Sequence, residues 1–206
     1  STGLPTKTEQ ADLLQAIFGR NSEAPIPVIA ASSPADCFDV AIEAVRIATQ
    51  YMTPVILLSD GYIANGAEPW RLPKLEDLKP FPKPFLKSVP EGGFLPYARD
   101  QYLARPWVKP GTPGLEHRVG GLEKAHLTGN INYEPENHEF MVRMRQNKVM
   151  GIRESIPTPN VFGDSTGEIL IVGWGSTRGA ITSAVEKLHA KGKKVSSLHL
   201  THVWPL

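Results

Sequence analysis

The stretch IPVIAASSPADCFDVAIEAVRIATQYMTPVILLSD, residues 26–60, holds two short apolar runs separated by a longer amphipathic one. The outer runs, each closed off by proline and serine, have the length of strands, and the middle has the length of a helix. Ser33 offers a hydroxyl to cap that helix, and Pro34 suits its first turn. Phe38, Ala41, Ile42, Val45 and Ala48 recur at helical spacing and are expected to form its buried stripe, with Cys37 a buried thiol on the same side. Val55 to Leu58 is an unbroken apolar run, as expected of a strand covered on both faces of a parallel sheet. Strand, helix and strand in that order make a βαβ unit, so the fold class expected is α/β.

The pattern returns near the other end of the chain. EILIVGWGS (168–176) reads as a strand running into a glycine turn, AITSAVEKLHAK (180–191) as a helix, Gly192 as its stop, and KVSSLHL (194–200) as the next strand. Between the two pieces, residues 62–165 hold 13 of the 19 prolines, densest in KPFPKPFLKSVP (79–90), which disfavours long regular elements. One helix, over about Glu136 to Ile152, is expected to interrupt this connector. Trp70, Phe81, Phe85, Phe94, Tyr97 and Trp107 make it too apolar for a solvated linker, so it should wrap over neighbouring surfaces.

A two-stranded βαβ unit cannot cover both faces of its strands. Glu9 to Leu13 suggests a helix with no strand before it, and HVWPL stops just beyond a strand. Each half is therefore expected to be unfinished, the chain being a fragment or one completed by other segments.

Composition narrows the classes of function. With 22 basic and 21 acidic residues the formal charge is +1, and no block of like charge is suited to nucleic acid or an anionic membrane. A single cysteine, Cys37, excludes an intrachain disulfide and a cysteine-only metal site, and fits a reducing cytoplasm. No apolar run approaches the roughly 20 residues that span a bilayer. The amino end lacks the parts of a signal peptide and an initiator Met, as expected of an end that is processed, engineered or cut.

Three stretches could carry chemistry. STGLPTKTEQADLLQA (1–16) sets Ser1, Thr2, Thr6 and Thr8 ahead of a helix start, a turn that holds a carboxylate or phosphate, or simply caps the helix. GTPGLEHRVGG (111–121) places Glu116, His117 and Arg118 in a glycine-rich loop, either a mobile cover or a solvated surface loop. VGWGSTRGA (172–180) is one residue too long for a dinucleotide fingerprint, and no acidic residue ends the next strand to hold a ribose. Its turn, Gly175, Ser176 and Thr177, could at most accept an anion, with tight backbone packing as the alternative. His126, His138, His189, His199 and His202 have no metal-ligand spacing and are read as structural.

STGLPTKTEQADLLQAIFGR (1–20), followed by SSPADCFDVAIEA (32–44) and TPVILLSDGYIANG (53–66), resembles the pyrimidine-binding domain in α-subunits of the 2-oxoacid:ferredoxin oxidoreductases. GTPGLEHRVGGLEK (111–124), NYEPENHEFMVRMRQNKVMGI (132–152) and EILIVGWGSTRGAI (168–181) are similar to the following parts of the same subunit, in the same order. The resemblance implies the latter part of a thiamine-binding domain over 1–66, a proline-rich connector with one helix over 67–165, and the start of a transketolase C-terminal-like α/β domain over 166–206.

It also implies thiamine diphosphate shared with a β-subunit that holds the diphosphate, its Mg2+ and an iron–sulfur cluster. Coenzyme A would be co-substrate, ferredoxin the electron acceptor, and the assembly a dimer of αβ units. The implied reaction is oxidative decarboxylation of a 2-oxoacid, by overall likeness 2-oxoglutarate, to an acyl-CoA and CO2. By the same resemblance Thr2 and Thr6 lie beside the reacting 2-oxoacid, Thr6 being the candidate for its distal carboxylate. His117 and Arg118 lie near a loop that closes over the active site, and the turn at Gly175 could take a coenzyme A phosphate. The family's glutamate that activates the aminopyrimidine, and the arginine just before the STG run, have no counterpart here. No catalytic residue is therefore assigned, and activity is not expected of this chain alone. A reading from another class is a non-catalytic docking module using exposed sheet edges; a third, a nicotinamide-dependent dehydrogenase, predicts NAD on the glycine turn.

Overall fold

The computed structural model describes residues 11–81 and 85–206. Helix α1 (Ala11–Phe18) precedes strand β1 (Val28–Ala30), helix α2 (Asp36–Tyr51), strand β2 (Ile56–Leu58) and a short helix α3 (Gly61–Asn65). A largely irregular run follows, carrying the two-residue strands β3 (Phe85–Leu86) and β4 (Trp107–Val108), and then helix α4 (Pro135–Gly151). The remainder is β5 (Val161–Gly163), β6 (Ile169–Trp174), helix α5 (Arg178–His189), β7 (Val195–Leu200) and β8 (His202–Trp204). The class is α/β as expected, and α4 sits one residue earlier at each end than the sequence suggested. No helix among the described residues is long and apolar enough to cross a membrane.

The two βαβ units are present, and each gains a third strand that the sequence did not reveal. The first sheet has the order β2-β1-β8, the second β5-β7-β6. Within each unit the strands are parallel, Ile29 opposite Leu57 and Val172 opposite Leu198, while β8 and β5 add on antiparallel. HVWPL, expected to trail beyond a strand, contains β8 itself. The chain leaves the second sheet at Leu200 and enters the first at His202, and between them the Thr201 carbonyl accepts from the Ala30 N–H at 2.8 Å. The two sheets are thus tied through one continuous extended segment, so neither unit stands alone.

This arrangement fixes where the core lies. In the middle of its sheet, β1 is completely buried, with Val28, Ile29 and Ala30 all at 0% exposure. By contrast β2, expected to be covered on both faces, is an edge strand and only half-buried. The helix face is also corrected: Val40, Ile47 and Tyr51 are buried, with Cys37 and Ala44 packed beside them, whereas Ala41 and Val45 of the expected stripe are exposed. Helix α2 carries apolar residues on two faces, and only one meets the sheet. On the other, Phe38 tilts against Trp70 with ring centroids 5.4 Å apart. The N-cap position falls on Ala35, which offers no side-chain bond, and the Ser33 hydroxyl accepts from the Asp36 N–H at 3.3 Å from two residues before it.

The connector closes onto the carboxyl end of α2, where a helix leaves carbonyls without partners. Trp107 Nε1 donates to the Thr49 carbonyl at 2.8 Å, and Lys148 Nζ to the Met52 carbonyl at 3.2 Å. Tyr51 donates its hydroxyl to Ser155 at 3.0 Å and meets the edge of Tyr102. Ile152, just after α4, completes the core cluster. Of the six aromatics expected to wrap over neighbouring surfaces, Trp107 meets α2 here, while Trp70, Phe81 and Phe85 stay exposed.

Candidate functional site at the strand ends

Ligands of parallel α/β sheets bind beyond the carboxyl ends of the strands. Ser32, Asp60 and Ser176 each lie just past such an end, of β1, β2 and β6 respectively. Ser32 donates its N–H (2.8 Å) and its hydroxyl (2.7 Å) to Asp36 Oδ2 in the first turn of α2. The same hydroxyl accepts from Arg178 Nη1 at 3.2 Å, so the first turn of α5 reaches the end of β1 in the other sheet. Asp60 caps α3 by accepting from the Ile63 N–H at 2.9 Å. Burial would raise its carboxyl, but the Ser176 side chain and the N–H groups of Ile63, Tyr62 and Ser176 hold it below its ordinary value. The strand ends of the two sheets therefore face each other.

The Gly175, Ser176 and Thr177 turn is part of this seam. Gly175 adopts φ of +64°, which a glycine takes without strain, and the Thr177 hydroxyl donates to the Trp174 carbonyl at 2.7 Å. A carboxylate, Asp60, thus stands at a turn considered for an anion. A Cβ at Gly173 would lie 2.3 Å from Ile181 Cδ1, the far end of a half-buried side chain that can turn aside.

Beside the seam opens a cleft of about 1580 Å³ lined by residues of both units, among them Asp36, Glu43, Arg178, His199 and His202. His202 Nε2 donates to Glu43 Oε1 at 2.9 Å. Burial would raise the Glu43 carboxyl, yet hydrogen bonds from Arg46 and His202 override it and hold the group at about 2. Both ring nitrogens of His199 are buried without a well-formed hydrogen bond, the Gly175 backbone making only a loose contact. Burial and Arg178 both lower this imidazole. Glu68 reaches back to the start of α2, accepting from the Ser33 hydroxyl and the Ala35 N–H, each at 2.5 Å. Cys37 is half-buried rather than buried, and burial followed by the Asp36 charge raises its thiol.

His117 and Arg118 lie elsewhere, lining a separate hollow of about 490 Å³ with Phe94, Thr128 and Asn130. His117 shares its Nδ1 proton with the Leu115 carbonyl at 2.8 Å, leaving Nε2 to accept from Arg105 Nη1 at 3.1 Å. Thr2 and Thr6 lie outside the described residues. Of the groups singled out from sequence, His117 and Arg118 line one hollow, whereas the Gly175, Ser176 and Thr177 turn stands at the seam beside Asp60 and is not in its lining.

Sequence reasoning missed Ser32, Asp36, Asp60, Glu68 and Arg178. One signal was readable: Arg178 stands in the first turn of a helix, the end whose dipole disfavours a cation, so a partner outside the helix was required. Thiamine diphosphate asks for a carboxylate directed at its pyrimidine ring. Among the described residues the carboxylates at the strand ends, Asp36, Asp60 and Glu68, are all held by neighbouring donors. They brace the seam and do not by themselves form a thiamine cradle.

Residues 1–134 match the family model for the thiamine diphosphate-binding region of pyruvate flavodoxin/ferredoxin oxidoreductases. The chain is 57% identical over 208 residues to 2-oxoglutarate oxidoreductase subunit KorA of Mycobacterium tuberculosis, covering 100% of this chain and 31% of that protein. It is 32% identical over 210 residues to 2-oxoacid:ferredoxin oxidoreductase 1, subunit alpha, of Aeropyrum pernix, covering 100% of this chain and 32% of that one. Its fold matches the solved 2-oxoglutarate:ferredoxin oxidoreductase of Magnetococcus marinus, determined with 2-oxoglutarate, coenzyme A and succinyl-CoA bound, at a TM-score of 0.86 and 34% identity. That match covers 100% of this chain and 36% of the other, so the chain spans about a third of the length of these relatives. The chain belongs to the pyruvate flavodoxin/ferredoxin oxidoreductase family, its residues 1–134 matching the thiamine diphosphate-binding region.

Proposed function

We propose that this chain is α-subunit sequence of a thiamine-dependent 2-oxoglutarate:ferredoxin oxidoreductase, which converts 2-oxoglutarate and coenzyme A to succinyl-CoA and CO2 and passes electrons to ferredoxin. The observation that carries the reading is the 57% identity, sustained along the whole chain, to a 2-oxoglutarate oxidoreductase subunit. Thiamine diphosphate, when bound, supplies the carbon nucleophile that makes decarboxylation of a 2-oxoacid feasible. It is held jointly with a β-subunit that carries Mg2+ and an iron–sulfur cluster, in a cytoplasmic dimer of αβ units. The division into a thiamine-domain portion (1–66), connector (67–165) and transketolase-like portion (166–206) belongs to the same reading.

In this assembly Thr2 and Thr6 donate their hydroxyls to the carboxylate oxygens of the 2-oxoacid, Thr6 to the distal one. His117 and Arg118 form part of a loop that excludes water from the closed site. The seam of Ser32, Asp36, Asp60, Ser176 and Arg178 keeps the two α/β units in register, and the cleft beside it leaves space for coenzyme A between them. The test is steady-state turnover of the purified complex on 2-oxoglutarate and on pyruvate. A kcat/KM favouring 2-oxoglutarate at least tenfold, with Thr6→Val eroding that preference mainly through KM, agrees with the reading; equal use of pyruvate contradicts it.

A further inference from the structure

Arg99 and Arg105 are half-buried guanidinium groups, and no carboxylate among the described residues pairs with either. Arg99 directs Nη1 to His126 Nδ1 at 2.9 Å and to the Tyr97 carbonyl at 3.3 Å, and Nη2 to Met141 Sδ at 3.2 Å. Arg105 directs Nη1 to His117 Nε2 at 3.1 Å. A guanidinium only donates, so both imidazoles offer it a lone pair. Each histidine thereby orients an arginine without cancelling its charge. Both guanidinium groups also lie against one aromatic ring, 6.0 and 5.4 Å from the centroid of Tyr97.

A third cation adjoins them. Lys148 donates to the Met52 carbonyl and feels the charges of Arg99, Arg105 and Arg145. Arg145 is itself paired with Glu23 and Glu123. The acidic group facing Lys148 is Asp100, whose Oδ1 is taken by the N–H groups of Tyr102 and Ala104 at 2.9 and 3.0 Å. Burial first, and then the arginines, push the Lys148 ammonium down to about 8. Cations withdrawn from water without a counterion are disfavoured, so their grouping is complementary to an anion. The hollow of about 490 Å³ lined by His117, Arg118, Thr128, Asn130 and the carboxylate of Glu116 adjoins Arg105 through His117, but Arg99, Arg105 and Lys148 are not in its lining.

We propose that Arg99 and Arg105, oriented by His126 and His117 and backed by Lys148, form a binding site for an oxyanion, a phosphoryl or carboxylate group carried by a small molecule. Two fixed guanidinium groups offer the forked donors that such oxygens accept. His117 is shared with the loop assigned above to the closed site, but the anion site does not depend on that assignment.

Isothermal titration of the purified protein with inorganic phosphate and with succinate, at constant ionic strength in chloride, tests this and separates the two sources. Saturable binding of at least one is expected, phosphate being the tighter if the natural group is phosphoryl and succinate if it is carboxylate. Arg99→Gln and Arg105→Gln each weaken it at least tenfold, and Arg143→Gln, an exposed residue of α4 paired with Glu139, leaves it unchanged. Should the glutamine variants fail to fold, Arg99→Lys and Arg105→Lys retain charge but lose the fork, and weaker binding than in the unaltered protein is again expected. Absence of binding by both anions, or binding by folded variants equal to that of the unaltered protein, would overturn the proposal.

Discussion

His202 Nε2 lies 2.9 Å from Glu43 Oε1, and Arg46 grips the same carboxylate through Nε at 2.6 Å and Nη2 at 2.7 Å. The last strand is thereby fastened to α2 across 159 positions of sequence. Since β8 continues from β7 of the other sheet, this carboxylate helps hold both α/β units together.

The fastening makes the fold sensitive to acid. Glu43 is lowered from its ordinary 4.5 to about 2 in the folded protein, so between these values the unfolded chain binds more protons. Its contribution is complete above pH 4.5 and is lost as the pH falls toward 2. Glu43→Gln should lower stability at pH 7 by about 1.5–3 kcal/mol and flatten the acid limb. Urea midpoints from pH 3 to 7 check this; an unchanged limb in the variant counts against it.

Lys148 acts in the same sense, in an alkaline window. Its folded value of about 8 lies below the ordinary 10.5, so the unfolded chain again binds more protons in between, and stability rises as the pH climbs through that window. Lys148→Met removes the rise. Thermal midpoints of both proteins at pH 7.5 and 10 compare the two, with a parallel change in both as the contrary result.

The buried face of α2 is open to a paired test. Ile47, at 0% exposure, should cost about 2–5 kcal/mol when cut to alanine. Val45, at 43% exposure, should change stability by less than about 0.5 kcal/mol. Equal losses on denaturant titration would restore the face expected from sequence.

Gly173 separates packing from ligand binding in the glycine turn. Gly173→Ala sets a methyl against the tip of the Ile181 side chain, which can turn aside, and should cost up to about 1 kcal/mol, less in an Ile181→Ala background. A Cβ at Gly179 meets nothing within 4 Å, and Gly179→Ala should stay within about 0.5 kcal/mol. A mutant cycle on thermal stability reads the coupling, and additive effects at 173 and 181 would exclude the clash.

Residues 26–60 were legible because strand and helix periods and their proline and serine boundaries all agree there. The face of α2 was not, because the helix has apolar residues on two sides and Tyr51, whose ring packs in the core while its hydroxyl reaches Ser155, resembles a boundary residue. Strand β8 was hidden for another reason: it is three residues long, is followed at once by Leu206 beyond Pro205, and forms only by pairing with distant β1. At the seam, Arg178 at a helix start signalled an outside partner, whereas nothing local in Asp60 or Ser176 announces that they meet. Those contacts belong to tertiary structure alone.

The direct test of the functional account is ferredoxin reduction by the assembled complex given 2-oxoglutarate and coenzyme A, before and after thiamine diphosphate is stripped from it. The account predicts reduction coupled to CO2 release, abolished by stripping and regained when the cofactor is returned. Reduction that persists at full rate in the stripped complex, or an intact complex that releases no CO2 from 2-oxoglutarate, would contradict it.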